Sequence, residues 1–455
     1  MIEKGTSRSY MADTMQYTIE HAAVGDDLHR LIAELYPICR SLTGNGVRET
    51  LRIIKRLVPL EMHEVPSGRK VFDWTVPKEW NITDAYVKNS KGERIIDFQR
   101  TNLHVMSYSI PVKAKMGLQE LRAHLYSLPE YPDWIPHKTT YFKENWGFSL
   151  SHKQLSRLEE DEYDVCIDSS LVEGHLTYGE YYLKGERSDE VLISCHVCHP
   201  SLCNDNLSGI AIASYLAKAL IGRRLRYSYR FLFIPGQIGS ITWLALNEAT
   251  VSRIKHGLVL VGLGDAGHST YKKSRRGNAE IDRAAIQVLK DSGEPFDVEE
   301  FVPYGYDERQ YCSPGFDLPV GCLMRTPHGK FREYHTSEDN LDFVKPFALA
   351  DSLTKSLKIL SMLEVNRTYV SLNQKCEPRL GPRGLYRTTG GHPGGGAIKE
   401  LPALWVLNMS DGRHSLLDIA ERSGLAFDLI SQAAEALVEC HLLDERTTRT
   451  DTSTE

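Results

Sequence analysis

No stretch of this chain reaches the roughly 18–20 consecutive apolar residues that span a bilayer as a helix, so a transmembrane anchor is not expected. No apolar core follows the basic residues of MIEKGTSRSYMADTMQ, so that segment reads as a polar leader rather than an export signal. Positive charge is not in excess: 54 Lys and Arg stand against 60 Asp and Glu, a formal net charge of −6. That balance argues against nucleic acid or an anionic membrane as the main partner. Cysteine is sparse, nine residues in 455, and an odd number cannot pair entirely within one chain. Without an export signal, reduced thiols and a cytoplasmic location are expected.

What is present is ordinary for a globular protein: 41% hydrophobic and 25% charged residues over a length that implies two or three domains. Helical spacing runs through LHRLIAELYPICRSL and VRETLRIIKRLVPL, broken at Gly44-Asn45-Gly46. Residues 61–145 are rich in aromatics, Pro and short alternating runs, and read as a β-rich insertion. From about residue 190, strand-like runs (191–195, 229–234, 256–263, 318–325) alternate with helical ones (206–220, 240–249, 347–363). The segment IDRAAIQVLKDSG supplies a further helix with a Gly stop. This alternation predicts an α/β domain over 25–60 and 146–370, with a doubly wound, mostly parallel sheet and function at its C-terminal strand ends. A linker with a Gly-rich run follows over 371–400, and 401–446 reads as a winged helix. Cutting near Lys399 is then expected to leave a cooperatively folded α/β domain, and TTRTDTSTE to be disordered.

The densest chemical signal is Ser194-Cys195-His196-Val197-Cys198-His199-Pro200, then Asn204-Asp205-Asn206-Leu207-Ser208-Gly209. A buried strand runs into a His-rich turn, and nine residues after His196 an Asp stands at a helix start. That order can bring an imidazole and a carboxylate to one point, the N and O donors that zinc takes. Asn206 and Ser208 can cap the helix, and Asp205 itself could be no more than a cap. The Cys-x-x-Cys-His at 195–199 also matches c-type haem attachment, which needs export. A Cys-rich zinc site at Cys195, Cys198 and Cys203 lacks a second Cys-x-x-Cys to complete it. Further along, Glu333-Tyr334-His335-Thr336-Ser337-Glu338-Asp339-Asn340 lies between a strand and a helix. There His335 can be a ligand and Asp339 its orienting acceptor, unless the segment is a solvated acidic loop. Asp265, in Gly262-Leu263-Gly264-Asp265-Ala266-Gly267, is a carboxylate among small residues with room for a metal, or a turn former. In Tyr304-Gly305-Tyr306-Asp307-Glu308-Arg309-Gln310 an acidic pair beside a Gly can supply a ligand, a base or a contact to a substrate amine.

Together these passages resemble the zinc-dependent aminopeptidase family, and more closely a bacterial aminopeptidase-like branch with a β-rich insertion and a C-terminal winged helix. ISCHVCHPSLCNDNLSG, FIPGQIGSITWL, GYDERQYCSPGFDLPV and EYHTSEDNLDFV carry the likeness. LYPICRSLTGNGVRETL, SGRKVFDWTVPKEWNI and NLHVMSYSIPV extend it over nearly the whole chain. The resemblance implies zinc, one or two ions, held by His196, Asp205, Asp265 and His335, with Asp205 as the bridge in two-metal members. It implies hydrolysis of a peptide or amide bond in a small peptide or amino-acyl substrate, with Gln237, Tyr304, Arg309 and Tyr334 as substrate contacts.

One departure bears on that activity. Where the family's helix begins with glutamates, one a base and one a ligand, this chain reads Pro235-Gly236-Gln237-Ile238-Gly239-Ser240. Gln237 cannot take up a proton at neutral pH. Glu308, and after it Asp307, are therefore the expected catalytic acids. The alternative is a catalytically altered relative that binds a metal or ligand. Between 401 and 444 seven acids (Asp411, Asp418, Glu421, Asp428, Glu435, Glu439, Asp444) stand against two arginines, Arg413 and Arg422. A surface that tracks phosphates needs the opposite balance, so docking or self-association through this domain is expected rather than DNA binding.

Overall fold

A computed structural model describes residues 21–385 and 400–446. The polar leader, the Gly-rich run at 389–396 and the tail TTRTDTSTE lie outside the described residues. The chain divides into two compact units. Of the described residues, the larger comprises 21–281 and 295–356; the smaller comprises 282–294, 357–385 and 400–446.

The larger unit is built on an eight-stranded sheet. Its spatial order is Glu61–Pro66, His175–Leu183, Ser228–Ile234, Glu190–His196, Ile254–Leu260, Val320–Met324, Ser269–Lys272 and Phe296–Glu299. Its four central strands, Ser228–Ile234 to Val320–Met324, are mutually parallel, and antiparallel strands flank them. Glu190–His196 is buried along its whole length, as expected for a parallel strand covered on both faces. From it the chain passes first to Ser228–Ile234 on one side and then to Ile254–Leu260 on the other. The strand order therefore reverses at Glu190–His196. In doubly wound sheets a crevice for ligand opens beyond the strand ends at such a reversal. The crossover helices are Ser208–Leu220 and Ile238–Asn247, whose buried faces carry Ile210, Leu216, Ile241 and Trp243.

The β-rich subdomain is displaced from its expected bounds. Its four-stranded antiparallel sheet is ordered Arg94–Asp97, Glu79–Lys88, Glu162–Val172 and Val112–Gly117. It closes on a core of its own around Trp80, Val87, Phe148, Val165 and Ile167. Glu61–Pro66 instead pairs with His175–Leu183 at the edge of the main sheet. The reason is register: Val65 points inward beside Leu176, so the first turn-rich strand buries its apolar residue on the large core.

In the smaller unit, helices Glu400–Met409, Leu416–Ser423 and Phe427–Glu439 pack with a three-stranded sheet. The central strand of that sheet is Thr368–Ser371, paired with Asp411–Ser415 and Leu443–Glu445. A strand placed by the sequence reading at the end of the α/β domain, with Ser371 at the start of the linker, thus pairs with the winged helix. Arg283 donates to Asp418 Oδ1 at 2.5 Å and to Glu421 Oε2 at 2.5 Å, and the Phe427 amide donates to Asp291 at 2.9 Å. The expected clean cut near Lys399 is therefore revised. Truncation there removes both neighbours of Thr368–Ser371 and leaves an unpaired strand edge. An aggregating product is expected in light scattering; a monodisperse product with a cooperative melt would overturn this.

Candidate metal centre

The parallel strands deliver their C-terminal ends to one edge, and there a cavity of about 300 Å³ opens. His196 ends its strand and is 4% exposed; Asp205, in the turn before Ser208–Leu220, is 1% exposed. The Asp205 carboxylate lies between two imidazoles, with Oδ1 2.9 Å from His196 Nε2 and Oδ2 2.9 Å from His335 Nε2. Donor atoms of His196, His199 and Asp205 all fall within 4.8 Å of one another. Three of the four residues expected to hold a metal, His196, Asp205 and His335, are brought together, and His199 joins them; Asp265 does not.

Why this turn holds its shape follows from its neighbours. Asn204 Oδ1 accepts from the Gly264 and Asp265 amides, and Asn206 Oδ1 from the Gly209 and Gly262 amides. Asn206 Nδ2 donates to the Leu260 carbonyl, and the Leu263 amide donates to Ser208 Oγ. Asn206 does cap the helix, but the two asparagines mainly lace the turn to the loop after Ile254–Leu260. Each residue beside Asp205 is tied down, and Asp205 alone faces the histidines. From the N-terminal region, buried Arg40 donates to the carbonyls of His199 (2.8 Å), Pro200 (2.9 Å) and Leu35 (2.7 Å). Burial pulls its guanidinium down to about 10.

Asp339 was expected to orient His335. Its carboxylate instead accepts from the backbone amides of Asn204 (2.5 Å) and Asp205 (2.9 Å). Burial raises it to about 8; those amides oppose the rise and the Asp205 carboxylate adds to it. Asp265 is corrected as well. Thr326 Oγ1 (2.6 Å) and the Gly267 amide (2.8 Å) donate to one oxygen, Asn204 Nδ2 (3.0 Å) and the Thr326 amide (3.2 Å) to the other. Four donors occupy the carboxylate, which braces Asn204 and does not line the cavity.

The acidic pair separates. Glu308 is fully buried, outside the cavity lining, with Oε1 2.8 Å from Lys272 Nζ. Asp307 lines the cavity. Its Oδ1 accepts from the Gln237 amide (2.6 Å) and from Ser240 Oγ (2.9 Å). Adjacent residues at a helix start point about 100° apart, so only one of the pair can face the cleft. The order of the two candidate acids is therefore reversed. A carboxylate does reach the start of Ile238–Asn247, but it arrives from the loop at 304–309. Burial raises Asp307 above the usual carboxylate range, while His196, the Gln237 amide and Ser240 draw it down.

Gln237, Tyr304, Arg309 and Tyr334, the expected substrate contacts, all line the cavity. Tyr334 stacks on His335 with ring centres 4.0 Å apart, and Tyr306 on His196 at 5.7 Å. Gln237 and His335 both take left-handed backbone angles, φ 63° and 56°, which cost non-glycine residues energy and cluster at functional sites. Burial lowers His199 to about 3, with His196 and His335 acting in the same direction and Asp205 against. Burial pushes the Cys198 thiol up to about 12, and its Sγ accepts from the Gly236 amide at 3.2 Å, so this cysteine is a structural one.

Two residues at the centre escaped the sequence reading. His199 was visible in the His-rich turn but was given no role. His137 sits in the insertion, and no local pattern marked it; only the pairing of residues 135–137 with 335–337 brings it to the cavity.

Residues 29–366 match a family described as "Domain of unknown function (DUF4910)". The chain belongs to that family. In this DUF4910 protein residues 367–445 match a winged helix-turn-helix family. It is 54% identical over 436 residues to a Clostridium acetobutylicum protein described as "Putative polysaccharide biosynthesis protein with aminopeptidase-like domain", covering 95% of this chain and 99% of that one. A crystal structure described as "putative peptidase" from the same organism superposes with a TM-score of 0.92 at 52% identity, covering 96% of this chain and 100% of the other. BSAP, a zinc aminopeptidase from Bacillus subtilis, superposes with a TM-score of 0.54 at 12% identity, covering 74% of this chain and 94% of its own. That likeness is one of fold: the DUF4910 domain has the aminopeptidase-like α/β architecture. Among the described residues, no helix is long and apolar enough to cross a membrane.

Proposed function

We propose that this DUF4910 protein is a zinc-dependent hydrolase that cleaves an amide bond in a small peptide or amino-acyl substrate. One observation carries the reading: a buried carboxylate, Asp205, set between His196 and His335 with His199 beside it, the three histidines lining a cavity. This donor set fits zinc, which takes neutral imidazoles and carboxylates. Burial lowers the proton affinity of His199, which stands as a neutral donor, and against the effect of burial the hydrogen bonds from His196 and His335 help hold Asp205 well below the usual carboxylate range. His196, His199, Asp205 and His335 would hold the ion, which when bound supplies a Lewis acid for water and for the scissile carbonyl. Asp307 handles the proton. Tyr306 and Tyr334 fix the rings of His196 and His335, while Tyr304 and Arg309 meet the substrate beyond them. The winged helix serves docking rather than DNA, since Asp418 and Glu421 are engaged with Arg283 and basic residues are few.

Elemental analysis of the purified protein is expected to find zinc, removable by chelation. His196→Ala should weaken it by more than about 100-fold, beyond the effect of losing an outer-shell partner. Equal metal in both proteins would sink the assignment. The substrate panel should hold amino-acyl anilides and also N-acylated amino sugars, because the relative from Clostridium acetobutylicum is described by polysaccharide biosynthesis.

A further inference from the structure

We propose that His137, carried by the β-rich insertion, is a further ligand of this metal centre, so that insertion and main sheet close on one ion. The inference rests on the metal reading above. Its ground is placement. The His137 amide donates to the His335 carbonyl at 2.8 Å, and the Ser337 amide donates to the Ile135 carbonyl at 2.9 Å. The Ile135 amide donates to Ser337 Oγ at 3.1 Å, and Pro136 bridges to Thr336 in antiparallel register. On the far side the Ser107 amide donates to the Lys138 carbonyl at 2.9 Å, and the Thr140 amide to the Ser107 carbonyl at 3.1 Å. His137 is thus held at both flanks, beside the residue that carries a proposed ligand.

Its ring fits the same centre. The ring centres of His137 and His335 are 5.2 Å apart, those of His137 and His199 5.5 Å, and those of His199 and His335 5.1 Å. Imidazoles bound at about 2.0–2.1 Å at neighbouring positions of one ion have centres roughly 5 Å apart. All three pairs meet that spacing. Among the described residues, His137 Nδ1 is buried with no hydrogen-bond partner. A buried polar atom left unpaired is costly, and most have a partner. An ion shared with His199 and His335, reached by rotation of the ring, supplies one. The insertion then does more than wall the cavity: it contributes a donor from outside the main sheet.

The test uses the full chain, stripped and titrated with cobalt(II) alone. Wild type should develop a visible absorption band. His137→Ala and His137→Gln should shift that band and weaken cobalt affinity at least about tenfold, with the metal-free melt unchanged. An identical band and affinity in both variants would overturn the proposal while leaving the centre itself in place. A wild type that binds no cobalt would overturn both. Should the variants fold poorly, wild type loaded with spin-active cadmium and labelled in its histidine nitrogens decides. Scalar splitting on a His137 nitrogen is expected, and its absence alongside splitting on His199 and His335 would overturn the proposal.

Discussion

Lys272→Met is expected to destabilise the folded chain by about 3–5 kcal/mol, because it leaves the Glu308 carboxylate buried without its cation. The pair sits deep: Lys272 is 5% exposed at its side chain and Glu308 0%. Lys272 Nζ donates to Glu308 Oε1 at 2.8 Å and to the Tyr304 carbonyl at 2.7 Å. Among the described residues, Glu308 Oε2 has no partner, so this carboxylate has little else to offset its removal from water. The loop at 304–309, which presents Asp307, is thereby pinned to Ser269–Lys272 by one ammonium group. Urea unfolding of Lys272→Met checks the magnitude. Replacing both members, as Lys272→Met with Glu308→Leu, should recover much of the loss, since no orphaned charge remains. A single variant as stable as wild type would mean that the pair contributes nothing, and would reopen Glu308 as a group free to act in catalysis.

The fate of Glu308 also marks how far the sequence could be read. The buried strand before His196, the spacing to Asp205 and the alternation of strands with helices were legible, because each is a local pattern with one dominant cause. The antiparallel additions to the main sheet, His175–Leu183 and Ser269–Lys272, were not. Their polar and aromatic residues follow no clean period, and their place is set by pairing with distant strands. The same holds inside the site. Asp307 and Glu308 are equivalent on paper, and which one faces the cavity depends on where Lys272 and Gln237 lie in space. Asp265 looked free among small residues, but those glycines admit close approach: at Gly267 a Cβ would stand 2.3 Å from Thr326 Oγ1, the hydroxyl that occupies the Asp265 carboxylate. His137 is the clearest case, since its role depends wholly on a tertiary contact.

Asp307→Asn is expected to lower turnover on an amide substrate by about 10²-fold or more while leaving zinc content near that of wild type. The geometry separates proton transfer from metal binding. Asp307 lies on the cavity wall, and its two hydrogen bonds, from the Gln237 amide and Ser240 Oγ, both fall on Oδ1. Oδ2 is the oxygen left to exchange a proton with the cavity. Burial lifts its proton affinity above the usual carboxylate range, toward the operating pH where general bases work best. Asparagine keeps a carbonyl oxygen for the Gln237 amide but cannot take a proton, so fold and metal should survive and the rate should not. Loss of zinc would instead make Asp307 a ligand; unchanged turnover with full zinc would remove it from the mechanism. Gln237→Glu is the companion. It puts an acid near the place where the zinc aminopeptidases resembled here carry theirs, though one residue late, on a backbone with φ 63°. The new carboxylate would stand beside buried Asp307, whose ionisation it would oppose. No gain, or a loss, is therefore expected. A large gain in peptidase activity would show that Asp307 had not replaced the missing glutamate, and that this chain is a disarmed peptidase. Zinc binding without turnover in wild type and in Gln237→Glu, across peptides, amino-acyl anilides and N-acylated amino sugars, would move the protein to the ligand-binding reading. In that case the cavity would still be the place to look, with Tyr304 and Arg309 at its wall as the first contacts to probe.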